Sequence, residues 1–489
     1  MANGVGRPVE PAVFRFGLVR RFMRYFYPNL TFEDELQNLT ARPTAAAQQT
    51  VHELAPVVSL LANADDTILL SAVPREADVP KSLRHARFVN RSSLASDSVI
   101  AGARHSSASG SPRHVDGGQT LVPWGWTPAA RSVAALIGMP DDFIPAEAAV
   151  QQVNGRRFAA RHDPVFTDHH CEFPFGQNSF GQLCRTVSEY ETAGQRLCSV
   201  GIDRWVVKPQ ISHAGRNRLL VTGTHRNAQQ SGWLTKHLKH PDGVYVEPWV
   251  TVREECGMQF EIGAAAHGGQ IRLVGVTQLM NDPMGRYLGS VIRNDTVLEE
   301  RWSAVIQHGF SVCRAVQQAG YFGPLGIDAF RYDCGCGRTV VRPCNDINAR
   351  LTMGRVALSL RKELLPGEIG LWCHVVLPPP AQSPTECPDA GILQGTQATV
   401  QNFRKMFAPC THDSEPEHKL PFELTCSDVR LVHTSPEQID HQPVRLRTVL
   451  LAGPLLPRLL EVSKFLRSPS QQTTENTGTA SKMTRPAES

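Results

Sequence analysis

The sequence predicts a mixed α/β protein of several domains, with an α+β core. Its 489 residues are enough for roughly three domains of typical size. Hydrophobic residues make up 41% and charged residues 20%, a balance that is typical of soluble globular proteins. Strand-like and helix-like segments alternate over much of the chain, which favours α/β or α+β architecture.

Charge and cysteine usage exclude some classes of function. The formal charge of +4 is small, and a protein that binds nucleic acid usually shows a clustered basic face, so we expect no nucleic-acid partner. The twelve cysteines are scattered, which indicates reduced thiols in a cytoplasmic protein. Cys334-Gly-Cys336-Gly has no second cysteine pair at zinc-finger spacing, and we interpret it as a hairpin turn.

Residues 1–147 are predicted to form one α/β domain. Its first residues are aromatic and basic without a continuous apolar segment, so we expect no signal peptide. We expect this stretch to dock on its own domain, and contact with a membrane as an amphipathic helix is the alternative. Buried strands are expected at 66–71 and 86–89. A third strand ends before Thr127, which should cap a helix that begins at Pro128.

Residues 148–375 are predicted to form the central domain, with a smaller lid subdomain at about 200–250. Its expected strands lie at 205–208, 244–246, 258–262, 271–276, 325–330 and 339–342, with a long helix at 298–318. Residues 376–466 are interpreted as a C-terminal extension. Residues 467–489 are polar and should be disordered.

The first candidate site segment is a strand that ends at Lys208, followed by a basic hairpin of small residues. A lysine at a strand end can reach a phosphate group. Gly215 would let backbone N–H groups approach phosphate oxygens. The alternative is a surface lysine that extends its ammonium group into water.

The second candidate segment begins with the strand 244–246 and continues through Glu247-Pro248-Trp249-Val250. An irregular backbone after a strand offers the free N–H and C=O groups that an adenine edge requires. Glu254 and Glu255 could then accept hydrogen bonds from ribose hydroxyls. The alternative is a strand followed by a solvated acidic turn.

The third candidate segment places oxygen ligands on two neighbouring strands. Asp328 lies among apolar residues on one strand, and Asp346 and Asn348 lie two residues apart on the next. Positions two apart face the same side of a strand. Strands joined by a hairpin lie about 5 Å apart. The three side chains should therefore converge, as Mg²⁺ bound to carboxylates and substrate phosphates requires. The alternative is a hairpin with a polar, solvated face.

Together and in this order, the three segments resemble the ATP-grasp superfamily. The resemblance covers roughly residues 150–360, and Pro123-Trp124-Gly125-Trp126 with residues 153–157 resemble bacterial ATP-grasp proteins. It implies a fold of two α+β subdomains that clasp ATP, preceded by a Rossmann-like pre-ATP-grasp domain. It also implies roles for single residues: phosphate contact by Lys208, a closing hairpin with Ser212, Gly215 and Arg216, an adenine hinge at Glu247, Trp249 and Val250, ribose contact by Glu254 (Glu255 not excluded), and metal binding by Asp328, Asp346 and Asn348.

The resemblance also implies an arginine for the reacting carboxylate or the transition state, which falls on Arg350. Asp346 replaces the glutamate that the family usually has, which shortens the reach to a metal. The family has one more basic residue that contacts phosphate, and we assign that role to Arg157. Some ligases have an arginine at the position of Gly326, so here Arg342 or Arg350 would supply that charge.

The function implied is an ATP- and Mg²⁺-dependent ligase, carbon–nitrogen bond forming, that activates a carboxylate as an acyl phosphate. Two Mg²⁺ ions are expected, with Mn²⁺ as an alternative ion. The substrates would be a small-molecule carboxylate and an amine, with no membrane partner and a homodimer as the default assembly. A phosphotransferase and a catalytically inactive nucleotide-binding protein are alternatives. Another is a metal-dependent hydrolase that uses His162, Asp163, Asp168, His169 and His170.

Overall fold

Three β-sheets organise the protein in a computed structural model. The structure describes residues 23–37, 44–95, 119–164, 174–175, 179–211, 217–334, 337–376, 429–440 and 442–467. The first sheet along the chain is parallel, and the two that follow it are antiparallel. The mixed α/β class predicted from the sequence is confirmed.

The N-terminal domain is built on a four-stranded parallel sheet. Its strands are β1 (Met23–Tyr27), β2 (Thr67–Leu70), β3 (Arg87–Asn90) and β4 (Gln119–Pro123). They lie in the order β3-β2-β1-β4. Phe26 and Ile68 are fully buried, because helices and loops cover both faces of a parallel sheet. The described part of the aromatic and basic stretch packs on its own domain as expected, because the aromatic side chains of β1 fill the core.

Five α-helices accompany this sheet and lead into the central domain. They are α1 (Phe32–Leu36), α2 (Ala45–Leu54), α3 (Pro128–Leu136), α4 (Glu147–Val153) and α5 (Arg156–Arg161). The predicted cap of α3 is confirmed, because the Thr127 hydroxyl accepts a hydrogen bond from the Ala130 backbone N–H at 3.2 Å. Of the loop predicted after β3, residues 96–118 lie outside the described residues.

The lid is a four-stranded antiparallel sheet covered by two helices. Its strands are β5 (Gln182–Cys184), β6 (Arg204–Pro209), β7 (Leu219–Thr222) and β8 (Val244–Pro248), and its helices are α6 (Val187–Ser199) and α7 (Ala228–His237). The strand order is β5-β8-β6-β7. Trp205, Leu197 and Leu234 form its own buried core. The lid thus begins near residue 182, earlier than the predicted 200, because β5 pairs with β8.

The largest sheet has eight antiparallel strands. Its strands are β9 (Val252–Ile262), β10 (Ile271–Asn281), β11 (Tyr287–Arg293), β12 (Gly323–Asp333), β13 (Thr339–Asn348), β14 (Ile369–Val376), β15 (Arg430–His433) and β18 (Leu446–Gly453). Two short strands, β16 (Gln438–Ile439) and β17 (Gln442–Pro443), pair only with each other. The strand order is β13-β12-β9-β10-β11-β14-β18-β15.

Four helices belong to the part of the chain that builds the large sheet. They are α8 (Val297–Arg301), α9 (Ser303–Gln318), α10 (Met353–Ser359) and α11 (Leu456–Arg467). The helix predicted at 298–318 is divided into α8 and α9 at Trp302. This tryptophan is fully buried and joins the main core, so its packing explains the break.

The described residues after 428 complete the large sheet. β18 pairs with β14 from Ile369–Gly453 to Val376–Leu446, and β15 pairs with β18. Leu371, Leu451 and Leu459 are buried together between these strands and α11. The described part of the predicted C-terminal extension is therefore an integral part of the sheet, and it covers the edge of β14.

The Cys334 segment forms the predicted hairpin turn, with the Cys334 backbone N–H bonded to the Arg338 carbonyl at 2.9 Å. Cys334 is disulfide-bonded, so the expectation that all cysteines are reduced is wrong at this position. Within the described ranges, no helix has the length and apolarity needed to cross a membrane.

Candidate active site

A cleft of about 1620 Å³ separates the lid, the large sheet and the N-terminal domain. Strands β6 and β8 supply its lid side, and β9, β12 and β13 supply its floor. Helices α1 and α2 close the end that faces the N-terminal domain. Side chains from all three units therefore meet in one space.

The three predicted metal ligands converge on the floor of this cleft. Asp328 of β12 lies directly across from Asp346 of β13. Asn348 donates from its amide nitrogen to Asp328 Oδ2 at 3.0 Å. A register shift in the β12–β13 ladder follows Asp328 and changes the twist next to the cluster. The structure thus brings together Asp328, Asp346 and Asn348 as the strand pattern predicted.

The charges around Asp328 suit a bound cation. Burial, reinforced by the neighbouring carboxylates of Asp346 and Glu255, raises the pKa of Asp328 to about 7. A divalent cation would relieve this repulsion, and hard oxygen donors are the ligands that Mg²⁺ prefers. The residues present therefore fit a magnesium site.

Lys208 reaches the same cleft from the end of β6. Its ammonium group forms an ion pair with Glu247 and lies 3.5 Å from Asn345 Oδ1. Burial lowers the pKa of Lys208, and Glu247 opposes that shift. Lys208 and Asp328 therefore line one cavity.

Glu247 uses its side chain as well as its backbone. Although burial alone would raise it, Arg342 and Lys208 hold the pKa of Glu247 down to about 2. One carboxylate oxygen faces Lys208, and the other accepts from Arg342 at 2.9 Å. The sequence analysis predicted only backbone contacts for this residue, because cross-strand partners are not visible in the sequence.

Arg342 is a structural residue here, and the prediction that it acts on substrate is wrong. It is 1% exposed, and its guanidinium carbon lies 4.0 Å from the ring centre of Phe180 and 5.5 Å from that of Phe330. Its guanidinium bonds Asp163 at 2.6 Å as well as Glu247. Although burial opposes the charged form, these two carboxylates raise the pKa of Arg342. A group engaged in this way keeps Glu247 in place.

Arg156 occupies the position that was predicted for Arg157. Arg156 lines the cleft, is 6% exposed and lies 3.2 Å from Asp346 Oδ1. Arg157 instead forms an ion pair with Asp242 at 2.6 Å. Both begin helix α5, and adjacent helical residues point in directions about 100° apart. Of the two arginines, Arg156 is therefore the one that faces the cleft.

The predicted adenine hinge lies where β8 ends. Glu247 and Pro248 still pair with β6, and the Trp249 backbone N–H bonds the Arg204 carbonyl at 3.0 Å. The Arg218 guanidinium lies 4.9 Å from the Trp249 ring centre. Trp249 and Val250 both line the cleft, so the hinge segment borders the same space as Lys208.

Glu255, rather than Glu254, faces Lys208. Glu254 is bound by Arg301 at 2.9 Å and by Arg331 at 3.1 Å. Glu255 points to the other face of β9, hydrogen-bonds Asn281 and interacts electrostatically with Lys208. Burial raises the pKa of Glu255. Of the two candidates, Glu255 is therefore the one on the side of Lys208.

Arg350 lies at the end of the cleft that faces the N-terminal domain. Its guanidinium contacts Glu33 at 2.6 Å, Asn348 Oδ1 at 3.0 Å and the Leu351 carbonyl at 2.9 Å. The sequence analysis missed Glu33, since nothing within the short helix α1 points to β13. Gly326 cannot be replaced by an arginine, because a Cβ atom there would lie 2.7 Å from Thr352 Cγ2.

Some predicted residues lie outside the described residues: Ser212, Gly215, Arg216, Asp168, His169 and His170. Of the proposed hydrolase cluster, Asp163 is committed to Arg342, and the His162 backbone carbonyl bonds the His308 ring. Among the residues that the structure does describe, no group of three or more His, Cys, Asp or Glu side chains could hold a metal ion. The described part of that cluster therefore gives the hydrolase alternative no support.

Comparison with known proteins shows structural likeness without close sequence relatives. No protein-family model and no curated protein matches the chain. The chain is similar to N5-carboxyaminoimidazole synthetase from Staphylococcus aureus complexed with ADP, at 9% identity and a TM-score of 0.45, over 92% of this chain and 98% of that one. It is similar to N5-carboxyaminoimidazole ribonucleotide synthetase from Thermus thermophilus, at 13% identity and a TM-score of 0.43, over 93% and 100%.

A third similar structure is the biotin carboxylase domain dimer of the Hydrogenobacter thermophilus 2-oxoglutarate carboxylase, in complex with MgADP, ADP and bicarbonate. The identity is 10% and the TM-score 0.43, over 91% of this chain and 89% of that one. The arrangement of the chain's own sheets and cleft, with the parallel domain first and the antiparallel lid facing the antiparallel floor, is the α+β architecture that the sequence predicts.

Proposed function

We propose that the protein is an ATP- and Mg²⁺-dependent ligase that activates a carboxylate as an acyl phosphate for attack by an amine or a similar nucleophile. One observation carries the proposal. Lys208 and Arg156 lie in the same cleft as the paired carboxylates Asp328 and Asp346. One nucleotide in this cleft could therefore have its phosphates bound by the two basic side chains and its Mg²⁺ ion bound by the two carboxylates.

The metal site would consist of Asp328, Asp346 and Asn348. Mg²⁺ bound there would neutralise charge on the nucleotide phosphates. We expect two ions, with Mn²⁺ as an alternative ion. The two carboxylates would also fix the distance between the floor of the cleft and the phosphates that Lys208 contacts from the lid.

The remaining side chains would position the reactants. The hinge at Glu247, Trp249 and Val250 would read the adenine edge, and Glu255 would accept from the ribose. A substrate carboxylate oxygen would attack the γ-phosphorus and displace ADP, with Arg350 neutralising the anionic reactants. The amine would then attack the acyl carbon and displace phosphate. Positioning and electrostatic stabilisation account for most catalysis of phosphoryl transfer.

Phosphate release tests the proposal. ATP and Mg²⁺ are incubated with amino acids, small peptides and polyamines, and released phosphate is measured. Asp346→Asn should lower the rate by at least about 100-fold, because it removes a carboxylate that would hold the Mg²⁺ ion that neutralises the phosphate charge. Asp295→Asn, which weakens a surface pair with Arg293 outside the cleft and can keep the hydrogen bond from the Val297 backbone N–H, is the matched control. Turnover of Asp346→Asn at the wild-type rate would contradict the metal assignment.

Hydroxylamine separates the chemical alternatives. An acyl phosphate reacts with hydroxylamine to give a hydroxamate, so trapping together with ADP release would support a ligase. A stable phosphorylated acceptor would instead indicate a phosphotransferase. Nucleotide binding without turnover of any acceptor would indicate an inactive nucleotide-binding protein.

We further propose small-molecule partners and a cytoplasmic homodimer. The cytoplasmic location is supported by six free cysteines among the described residues, although the bonded Cys334 does not add to that support. Sedimentation analysis of the purified protein measures the assembly state, and a monomer would contradict the homodimer.

A further inference from the structure

Arg350 is held at three points in the structure. It pairs with Glu33 of α1 at 2.6 Å, donates to Asn348 Oδ1 at 3.0 Å and donates to the Leu351 carbonyl at 2.9 Å. The side chains of Arg350 and Glu33 are 12% and 7% exposed, so the ion pair is largely removed from water. Its position is therefore defined by the N-terminal domain on one side and by β13 on the other.

The contacts of Asn348 determine which way its amide points. A guanidinium has only donors, so the atom of Asn348 that meets Arg350 must be its oxygen. The Asn348 nitrogen consequently faces Asp328. Magnesium binds amide groups through oxygen. Arg350 thus holds the Asn348 oxygen, the atom that would bind Mg²⁺, away from Asp328, which would bind the same ion.

We propose that Arg350 keeps the metal site incomplete until an anionic substrate group binds, with Glu33 as the residue that balances its charge. A carboxylate or acyl phosphate oxygen that accepts hydrogen bonds from the Arg350 guanidinium would release the Asn348 oxygen, which could then turn toward Asp328. This inference rests on the proposed function, because it assigns the order in which the same site is assembled. It couples the cleavage of ATP to the presence of the carboxylate.

Two physical effects of Arg350 act in the same direction. Its hydrogen bond withholds the Asn348 oxygen, and its charge repels a cation at Asp328. Glu33 offsets the charge. Removal of Arg350 should therefore strengthen the effect of Mg²⁺ on nucleotide binding, whereas removal of the Glu33 charge should weaken it. If Arg350 were only structural, its removal would not strengthen the effect of Mg²⁺ on nucleotide binding, and the two substitutions would not change that effect in opposite directions.

The test measures ADP affinity by calorimetry with and without Mg²⁺, in the absence of any carboxylate substrate. The dissociation constant of ADP without Mg²⁺ divided by that with Mg²⁺ reports how well the site accepts the ion. We expect Arg350→Met to raise this ratio about fivefold or more, and Glu33→Gln to lower it. In the double variant the effect of Glu33→Gln should disappear. Glu35→Gln is the matched control, since Glu35 lies on the same helix and bonds Thr31 locally.

The outcomes distinguish this inference from the proposed function. A wild-type protein that binds ADP more tightly with Mg²⁺, together with an unchanged or lowered ratio in Arg350→Met, would overturn the inference alone. A wild-type protein that binds no nucleotide would overturn both. If melting curves show that Arg350→Met is unfolded, Glu33→Gln decides the matter, and an unchanged or raised ratio in that variant would overturn the inference.

Discussion

Arg342 joins four parts of the chain at one buried point. It bonds Asp163 after α5 and Glu247 of β8, and its guanidinium packs against the rings of Phe180 and Phe330. Glu247 in turn pairs with Lys208. A buried charge network of this kind is costly to break, because the Asp163 carboxylate would stay buried without the cation that pairs with it.

We therefore expect Arg342→Met to lower the free energy of unfolding by about 3–5 kcal/mol. The substitution leaves Asp163 and Glu247 without their shared cation. Denaturant titration measures the change. Arg253→Met is the control, because its pair with Asp333 is exposed and should contribute nothing measurable. Equal effects of the two substitutions would show that the network does not stabilise the fold.

Arg156 and Arg157 provide a comparison of neighbouring residues of one type. We expect Arg156→Met to weaken ADP binding by roughly tenfold, because a charge-assisted contact with phosphate is lost. Arg157→Met should bind ADP as the wild type does, since Arg157 pairs with Asp242. Calorimetry measures both affinities. The opposite ranking would return the phosphate contact to Arg157.

The residue-scale predictions that succeeded rest on local spacing. Asp346 and Asn348 face one side of a strand because side chains alternate along it, and the hairpin brings Asp328 opposite. Glu33 and Arg156 could not be found in this way. Their partners, Arg350 and Asp346, lie far away along the chain, and only the tertiary fold brings them together.

At the scale of elements, the close approach of α9 to the large sheet depends on a glycine. Gly309 lies in the middle of α9 and faces Phe260 of β9. A Cβ atom at this position would lie 2.8 Å from Phe260 Cζ. Packing and helix propensity thus make opposite demands on the residue.

We expect Gly309→Ala to destabilise the protein by about 1–3 kcal/mol, because overpacking outweighs the better helix propensity of alanine. Gly232→Ala in α7 is the matched control. Its Cβ atom would have no neighbour within 4 Å, so the substitution should stabilise by about 0.5–1 kcal/mol. Thermal unfolding measures both. A stabilising Gly309→Ala would show that α9 can move away from β9.

Elements with a strong apolar pattern were predicted, and those that depend on pairing were not. Strand β2 and the cap of α3 follow from local sequence. The predicted strands at 258–262 and 271–276 lie within β9 and β10, and each strand is 11 residues long because its neighbours extend the pairing. Strand β1 was not predicted as a strand, since its arginine and aromatic residues show no clear period of two.

At the scale of the whole molecule, the N-terminal domain and the last strands hold one another. The carboxylate of Glu53 in α2 is 2% exposed and accepts hydrogen bonds from the backbone N–H groups of Arg445 and Leu446, at 2.9 and 2.8 Å. The first of these bonds connects parts of the chain 392 residues apart. No spacing rule reaches so far, so the return of the chain to the large sheet was not predicted.

We expect Glu53→Ala to destabilise the protein by roughly 2–4 kcal/mol, because it leaves two backbone donors without their acceptor. Thermal unfolding measures the loss. Glu76→Ala, at an exposed position of the same domain, should melt as the wild type does. If both variants melted at the wild-type temperature, the link between the two ends of the described chain would contribute no stability.

The account as a whole depends on a metal–nucleotide complex in the cleft between lid and floor. A crystal structure with Mn²⁺ and a non-hydrolysable ATP analogue would locate the ion by its anomalous scattering. We expect the ion to be bound by Asp328 and Asp346, with Lys208 in contact with a phosphate. An ion bound at other side chains, or a nucleotide outside this cleft, would contradict the account.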